Sequence, residues 1–375
     1  MRIGIEAQRI FRKNKHGMDY VVLHEILEIQ KTDTENEYFV FVKPGEDRCV
    51  ESTSNVHVVE IACPSYPLWE QWALPRAAKK AKVDILHCTS NTAPIWCDIP
   101  LVLTLHDIIY LEKREEGSGS LYQYMGWYYR RFVVPRIVQK CVHIITVSDF
   151  ERNNILAKLP IRQERITMIH NGYNDSYVPM VDERGIYMKY IEQPDYFFIL
   201  GNTDTRKNVE RMLISYSSYL RESEQKRKLL VTSLSEEYIL QLLKKNNIEG
   251  IMPNIRLTGY VPGADLPYLY NDAFAFLFVS LREGFGIPII ESMACGTPVI
   301  TSNTSSMPEI GGPDAILVNP ENSDEIASMM LRLENDEVFY QRQKTIGLER
   351  AKLFSWRKTT EQLLEVYKSV CSDPT

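Results

Sequence analysis

The stretch Arg282-Glu283-Gly284-Phe285-Gly286-Ile287-Pro288-Ile289-Ile290-Glu291-Ser292-Met293-Ala294-Cys295-Gly296-Thr297-Pro298-Val299-Ile300 decides the fold. The apolar run before it, Ala273 to Val279, has the length and composition of a buried strand. Gly284 and Gly286 then break the run. Pro288 falls in a first helical turn, where a missing N–H costs nothing. A short helix is expected from about Ile287 to Ala294, with Gly296 as the residue that ends it. A second apolar strand, Pro298 to Thr301, follows. The order strand, glycine loop, helix, strand brings backbone N–H groups and a helix N-terminus to one point. That suits a phosphate or a polyhydroxyl ligand.

Two carboxylates flank this point. Glu283 lies in the loop and Glu291 about one turn into the helix. Ionised, both only accept hydrogen bonds, so they suit sugar and ribose hydroxyls rather than phosphate oxygens. The plainer alternative is that they complement the helix dipole.

The ungapped run Glu-Gly-Phe-Gly-x-Pro-x-x-Glu-x-Met-Ala-Cys-Gly-Thr-Pro-Val, from Glu283 to Val299, resembles the signature of family-4 retaining glycosyltransferases. The resemblance implies an α/β protein of the GT-B fold: two Rossmann-like doubly wound domains facing across a cleft, with the C-terminal helix crossing back to the first domain. It places Glu283 on the donor sugar and Glu291 on the nucleotide ribose. The backbone from Gly284 through Phe285 and Gly286 to Ile287 would meet the diphosphate and sugar.

At 375 residues the chain is too long for one ordinary core, so two domains are expected. The expected division is 1–175 with 356–375 on the acceptor side and 176–355 on the nucleotide-sugar side. With 44% hydrophobic and 25% charged residues the composition is that of a soluble globular protein. A net charge of −6 argues against nucleic acid as a partner. The seven cysteines show no Cys-x-x-Cys and no zinc spacing, and read as reduced, mostly buried thiols of a cytoplasmic protein. Met1 to Glu6 reads as a strand rather than a signal peptide, and no apolar run reaches membrane-spanning length.

In the N-terminal half, strand Met1–Glu6 leads into a basic loop, Arg9 to Asp19, and a helix from Tyr20 to about Lys31. Gly17 stands where the family has a glycine-rich loop near the donor phosphates, although Met18-Asp19 replaces a second glycine. A single helix is expected from Leu68 to Lys80. Leu101–Leu105 delivers His106-Asp107 to a strand's C-terminal end, where open α/β sheets bind ligands. His106 could bond a sugar hydroxyl or simply a backbone carbonyl. The pair resembles mannosyltransferase-like members of the family, in which the His reaches the donor sugar. Residues 112–120 read as a polar, mobile loop. Residues 121–140 interleave aromatics with Arg130, Arg131, Arg136 and Lys140. They suit either peripheral contact with the inner face of a membrane, a lipid-linked acceptor, or a core helix with a basic edge.

In the C-terminal half, strand Tyr196–Leu200 ends in Gly201-Asn202-Thr203-Asp204-Thr205-Arg206-Lys207-Asn208. Cations just before a helix start suit a diphosphate. By resemblance Lys207 neutralises the leaving diphosphate. Asn202 stands where many members have an Arg, which leaves open whether Arg206 substitutes. Gly259-Tyr260-Val261 falls where the family packs the nucleotide base. No Asp-x-Asp divalent-metal motif occurs, so cationic side chains rather than a metal or other cofactor are expected to stabilise the leaving group.

The reading is therefore a metal-independent retaining hexosyltransferase. It moves a hexose, mannose from GDP-mannose by preference, to a glycan or lipid-linked saccharide in polysaccharide biosynthesis. A UDP-hexose donor and a nucleotide-sugar epimerase of the same fold are the alternatives.

Overall fold

The structure is a computed structural model describing residues 1–15, 17–112 and 121–372. His16 and residues 113–120 of the expected polar loop lie outside the described residues. The chain divides into two compact units, Met1–Gly172 with Ser355–Thr375, and Tyr173–Phe354.

In the first unit β1 (Arg2–Glu6), α1 (Gly17–Thr32), β2 (Glu37–Val42) and β3 (Val56–Glu60) come first. Then follow α2 (Tyr66–Leu68), a π-helical turn (Trp69–Ala73), α3 (Leu74–Ala81), β4 (Ile85–Cys88) and β5 (Leu101–Leu105). The unit ends with α4 (Leu121–Ile137), β6 (His143–Thr146), α5 (Asp149–Lys158) and β7 (Ile166–Met168). Its seven strands are all parallel in the order β3-β2-β1-β4-β5-β6-β7. The order reverses direction at β1/β4, where Ile5 lies opposite Val40 on one side and His87 on the other. A parallel strand covered on both faces needs apolar residues throughout, and β5 (Leu-Val-Leu-Thr-Leu) is buried at every position.

The second unit contains β8 (Tyr196–Leu200), α6 (Val209–Glu222), β9 (Leu229–Thr232), α7 (Glu236–Lys245), β10 (Ile255–Thr258), α8 (Leu266–Asn271) and β11 (Ala273–Phe278). It continues with α9 (Ile287–Ala294), β12 (Val299–Ser302), α10 (Met307–Gly311), β13 (Ile316–Val318), α11 (Ser323–Asn335) and α12 (Glu337–Ala351). Six parallel strands are ordered β10-β9-β8-β11-β12-β13, with the reversal at β8/β11. Each sheet is thus a doubly wound Rossmann-like sheet, as the resemblance implies. Tyr196, Phe198, Tyr270 and Phe276 form an edge-to-face aromatic cluster in this unit's core.

The last helix, α13 (Trp356–Ser372), belongs to the first unit. Its Tyr367 hydroxyl lies 2.6 Å from His87 Nδ1 on β4, and Trp356 stacks on His24 of α1. The expected return of the final helix to the first domain is observed.

Three expectations are corrected. The helix expected from Tyr20 begins at Gly17, because Asp19 sits buried in its first turn, fixed by Arg12 at 2.6 Å. The helix expected over Leu68–Lys80 is three pieces, opened by the Ser65 hydroxyl capping Leu68 N and widened to a π turn around buried Trp69 and Glu70. Of the seven thiols only Cys88, Cys141 and Cys295 are buried, the other four being half-exposed.

Candidate functional site

The glycine loop of the second unit is built as the spacing predicts. β11 ends at Phe278, and the chain turns through Ser280–Gly286 into α9. Gly286 takes φ 112°, a conformation that an L side chain resists, so the turn into the helix requires glycine here. Ile289 and Ile290 on α9 are fully buried and hold the helix to the sheet; each side chain contributes about 1.5–3 kcal/mol. Hydroxyls pin the loop backbone: Ser305 Oγ accepts from Glu283 N at 3.0 Å, and Ser306 donates to the Phe285 carbonyl at 2.8 Å.

The loop after β8 meets this one, because β8 and β11 are neighbours at the point where the strand order reverses. Gly201 is obligatory at the exit of β8, since a Cβ there would lie 2.1 Å from the Thr232 carbonyl oxygen. Asp204 caps a short 3-10 turn, Thr205–Lys207, by accepting from Arg206 N. Asn208, at φ 61°, donates to the carbonyls of Val279 and Pro320 and fixes the turn to the end of β11.

The two loops bring Glu283, Lys207 and Arg206 together. Lys207 Nζ lies 2.6 Å from Glu283 Oε1, and Arg206 Nη1 3.3 Å from Oε2. Arg206 is itself oriented by Asp204 Oδ2 at 2.8 Å and the Arg282 carbonyl at 3.1 Å. Lys207 also lies over the Phe278 ring at 5.4 Å. Burial alone would push the Glu283 carboxyl up; Lys207 and then Arg206 outweigh this and hold it below the ordinary carboxylate range. Glu283 is therefore an ionised, largely buried carboxylate shared by two cations. A cation pair beside a helix N-terminus can take up a polyanion, and the shared carboxylate can accept hydroxyls.

Glu291 lies one turn further on, outside this ion cluster. Burial pushes its carboxyl up to about 7, opposed by the hydroxyls of Tyr177 and Tyr270; the latter donates at 3.4 Å. Such a carboxyl is poised to ionise when hydroxyl donors are supplied by a ligand. Gly259 and Tyr260 lie exposed in the loop after β10, with Val261 turned inward and buried. Asn202 turns its side chain to Asp204 N at 2.8 Å and stays local.

In the first unit His106 is buried at the end of β5. Its Nε2 lies 2.8 Å from the Thr89 carbonyl oxygen, which can only accept, so Nε2 carries the proton. Burial lowers its pKa, so the ring is neutral and Nδ1 is an acceptor. Of the two sequence alternatives, the backbone carbonyl therefore occupies Nε2. Asp107 Oδ1 accepts from Ile109 N at 3.1 Å and shapes the following turn. Gly17 opens α1 with clear space around its Cα.

Some groups were not found from sequence. The Ser305 and Ser306 hydroxyls, Tyr177 and Tyr270 depend on tertiary proximity. In the first unit, Glu70 of the π turn is buried and receives the hydroxyls of Tyr66 and Tyr129, at 2.5 and 2.7 Å, and of Thr92. The stretch reads as one helix from sequence, and Pro75 inside it is the local signal that could have marked the irregularity. A depression lined by Met1, Arg2, Gln30, Glu37 and Asp84 lies at the N-terminal ends of β1 and β2, the edge opposite His106. Among the described residues no three His, Cys, Asp or Glu side chains group as metal ligands.

Comparison with known proteins places these loops in context. Residues 26–177 match the family described as Glycosyltransferase Family 4, and residues 189–350 match Glycosyl transferases group 1. The chain is 32% identical to O-antigen chain mannosyltransferase B of Escherichia coli, over 62% of this chain and 64% of that protein. It is 27% identical to the serotype-specific mannosyltransferase WbdA of Escherichia coli, over 74% of this chain and 35% of that protein. The alignments therefore span between about a third and just under two thirds of these curated relatives. A solved sucrose-phosphate synthase from Thermosynechococcus elongatus superposes over 99% of both chains with TM-score 0.77 at 18% identity, a likeness of fold.

Proposed function

The chain belongs to the family-4 glycosyltransferases, and from that premise we propose that it transfers a hexose, mannose by preference, from a nucleotide-diphosphate sugar to a glycan or lipid-linked saccharide. The observation that carries this reading is the Lys207–Glu283–Arg206 cluster beside the start of α9. The mannosyltransferase names of the relatives support mannose as the sugar and O-antigen-like polysaccharide as the product. GDP-mannose is accordingly the first donor to test and a UDP-hexose the second.

In this reading each residue has a chemical task. Lys207, with Arg206 in place of the family Arg missing at Asn202, balances the charge that develops on the departing diphosphate. The N-terminus of α9, entered through Gly284, Phe285, Gly286 and Ile287, faces the same charge with its dipole. No metal is required for that neutralisation. Glu283 accepts donor-sugar hydroxyls, and Glu291 accepts ribose hydroxyls. Gly259, Tyr260 and Val261 back the base. The acceptor hydroxyl attacks the face the diphosphate leaves, the diphosphate oxygen takes its proton, and anomeric configuration is retained. The first unit serves the acceptor side, with His106 Nδ1 available to a sugar hydroxyl and Asp107 and Gly17 shaping the adjoining loops.

The test is product analysis. The protein is incubated with GDP-mannose, then with UDP-hexoses, and candidate acceptor saccharides. Formation of an α-linked product with release of the nucleoside diphosphate supports the reading. Release of nucleotide with an epimerised free sugar and no glycoside would replace it with the epimerase.

A further inference from the structure

Three separate parts of the chain meet at Glu291. The carboxyl itself sits on α9, Tyr270 comes from α8, and Tyr177 comes from residues 173–180, the segment with which the second unit begins. That segment has no helix or strand of its own and is held in place by side chains. Asn174 closes a turn: its carbonyl accepts from Tyr177 N at 3.0 Å and its side chain from Ser176 N at 2.9 Å. Asn271, at the end of α8, grips the segment through both ends of its amide. Its Nδ2 donates to the Val178 carbonyl at 3.0 Å and its Oδ1 accepts from Met180 N at 2.8 Å. The Tyr177 ring is thereby set edge-on against Tyr270 at 5.8 Å, and its hydroxyl donates to the Glu291 carboxyl.

Packing alone does not call for that hydroxyl. Tyr177 and Tyr270 are both buried, and a phenylalanine ring would fill either place. A buried phenol must find a hydrogen-bond partner, and here the partner is an ionisable group. Glu291 is half-buried, so the tyrosines hold its carboxyl from the buried side and leave the exposed side to a ligand. A carboxylate offers about four lone-pair sites, so two tyrosine hydroxyls leave about two, the number that a vicinal diol fills.

The titratable groups around Glu291 are neutral or engaged elsewhere. Burial pushes up the Cys295 thiol at the end of α9, the Tyr270 hydroxyl on α8 and the Tyr173 hydroxyl of the segment. The acids flanking α8 turn away: Asp265 accepts from the Tyr190 hydroxyl at 2.6 Å, and Asp272 faces Asp182. Glu309, the acid of α10, acts on Arg350 of α12. Next to Met293 and Gly296 of α9, α12 presents the uncharged Gly347 and Leu348. The ionisation of Glu291 is thus set by burial on one side and the two hydroxyls on the other.

We propose that Tyr177 is a positioning residue for nucleotide binding: its hydroxyl, carried to α9 by the segment that opens the second unit, fixes the Glu291 carboxyl so that its open sites meet the ribose hydroxyls. This rests on the reading of Glu291 as the ribose acceptor, and adds a residue that lies far outside the Glu283–Val299 signature. The hydroxyl also sets the pH at which the site works, because its donation favours the ionised carboxylate against burial. Tyr177→Phe keeps the ring and removes that donor.

Affinity for GDP and for UDP is measured by calorimetry from pH 6 to 9 in wild type, Tyr177→Phe, Glu291→Gln and the double variant. The ligand's own titration is common to all four and cancels in the comparison. A hydrogen bond to a charged group favours ionisation about tenfold, so the rise of affinity with pH should move up by about one pH unit in Tyr177→Phe. With the Glu291 carboxyl at about 7 in wild type, affinity at pH 7 should fall about fivefold and recover by pH 9. In the Glu291→Gln background Tyr177→Phe should leave the profile unchanged. Urea unfolding over the same range reads the link without nucleotide. The raised folded value means that wild type loses stability as pH rises from the unfolded carboxylate value through about 7, and in Tyr177→Phe that loss should run on to higher pH. An unmoved profile, an equal loss of affinity at every pH, or the same effect in the Glu291→Gln background overturns the proposal and leaves the ribose reading standing. Affinity indifferent to Glu291→Gln, or binding of neither nucleotide, overturns the ribose reading and this inference with it.

Discussion

Replacing Glu283 with Gln separates the two jobs that the ion cluster is given. The ligand-free carboxylate is bonded to Lys207 at 2.6 Å and to Arg206 at 3.3 Å, and its side chain is 10% exposed. The amide keeps the shape but removes the charge. A hydrogen bond to a charged group is worth about 1.5–3 kcal/mol, and two cations are left with a weaker acceptor. A loss of about 2 kcal/mol is expected, which for a domain of this size lowers Tm by roughly 4–8 °C. The sign with pH follows from the depressed pKa of Glu283. Its stabilising contribution is present above the unfolded carboxylate value and is lost as pH falls through the lower folded value. The gap between wild type and Glu283→Gln should therefore be full at pH 7 and close in acid. Binding should move the other way. With Lys207 released from Glu283 and Arg206 held by Asp204 as its remaining carboxylate, a nucleoside diphosphate meets less competition and should bind as tightly as to wild type, up to about tenfold tighter. Turnover should still fall about 100-fold or more, because the charged acceptor for the sugar hydroxyl becomes a neutral amide oxygen. Calorimetry, thermal melts from pH 8 down to well below 4.5 and turnover of the same variant read all three. Diphosphate affinity falling in step with turnover would refute the reasoning, since the carboxylate would then serve the diphosphate itself.

Four further outcomes follow from the geometry. The Glu291 carboxyl is raised to about 7 by burial, so it stays protonated in the fold while the unfolded group ionises; wild type loses stability as pH rises from about 4.5 to 7. Glu291→Gln should consequently be more stable than wild type at pH 8, by on the order of 3 kcal/mol, with little difference near pH 4, as urea titrations would show. If ribose hydroxyls draw the proton off Glu291, wild-type nucleotide affinity should rise between pH 6 and 8, and Glu291→Ala should bind nucleotide weakly at every pH. Tyr367→Phe removes the bond to buried His87 that ties α13 to β4 and should cost about 1–3 kcal/mol in urea unfolding. Gly201→Ala sets a methyl against the Thr232 carbonyl oxygen and should lower Tm and nucleotide affinity together, since β8 must shift and carries Lys207 with it.

Much of this was legible in local sequence because the residues concerned are local. The run from Ala273 to Ile300 encodes strand, turn and helix in consecutive residues, and Gly286 and Pro288 fix the helix start within one turn. The seven residues enclosed between Glu283 and Glu291 placed one in the loop and one on α9, where they lie. Other features are set by distant contacts that no local pattern records. The bonds that Lys207 and Arg206 make to Glu283 join residues 76 and 77 positions apart, and only the adjacency of β8 and β11 creates them. The raised pKa of Glu291 comes from its burial in the folded core, and the Tyr177 and Tyr270 hydroxyls that oppose the rise are brought to it from distant positions. The basic stretch before α1 reads as a loop up to Asp19, but the Arg12–Asp19 bond draws the helix start back to Gly17. The π turn at Trp69 likewise answers to a tertiary demand, the burial of Trp69 with its indole N–H on the Ile61 carbonyl at 3.0 Å, which a straight Leu68–Lys80 helix was not expected to meet.

The central claim, that the second unit holds a nucleotide sugar on Lys207, Glu283 and Glu291, is tested most directly by calorimetric titration. GDP, UDP, GDP-mannose, UDP-glucose and UDP-N-acetylglucosamine are titrated separately into wild type and Lys207→Ala, with and without candidate acceptor glycans. The account predicts selective binding of one nucleotide and its sugar, GDP-mannose before UDP-hexoses, and a loss of about 1.5–3 kcal/mol in Lys207→Ala. Binding of no nucleotide under any of these conditions, or equal binding to wild type and Lys207→Ala, would contradict it.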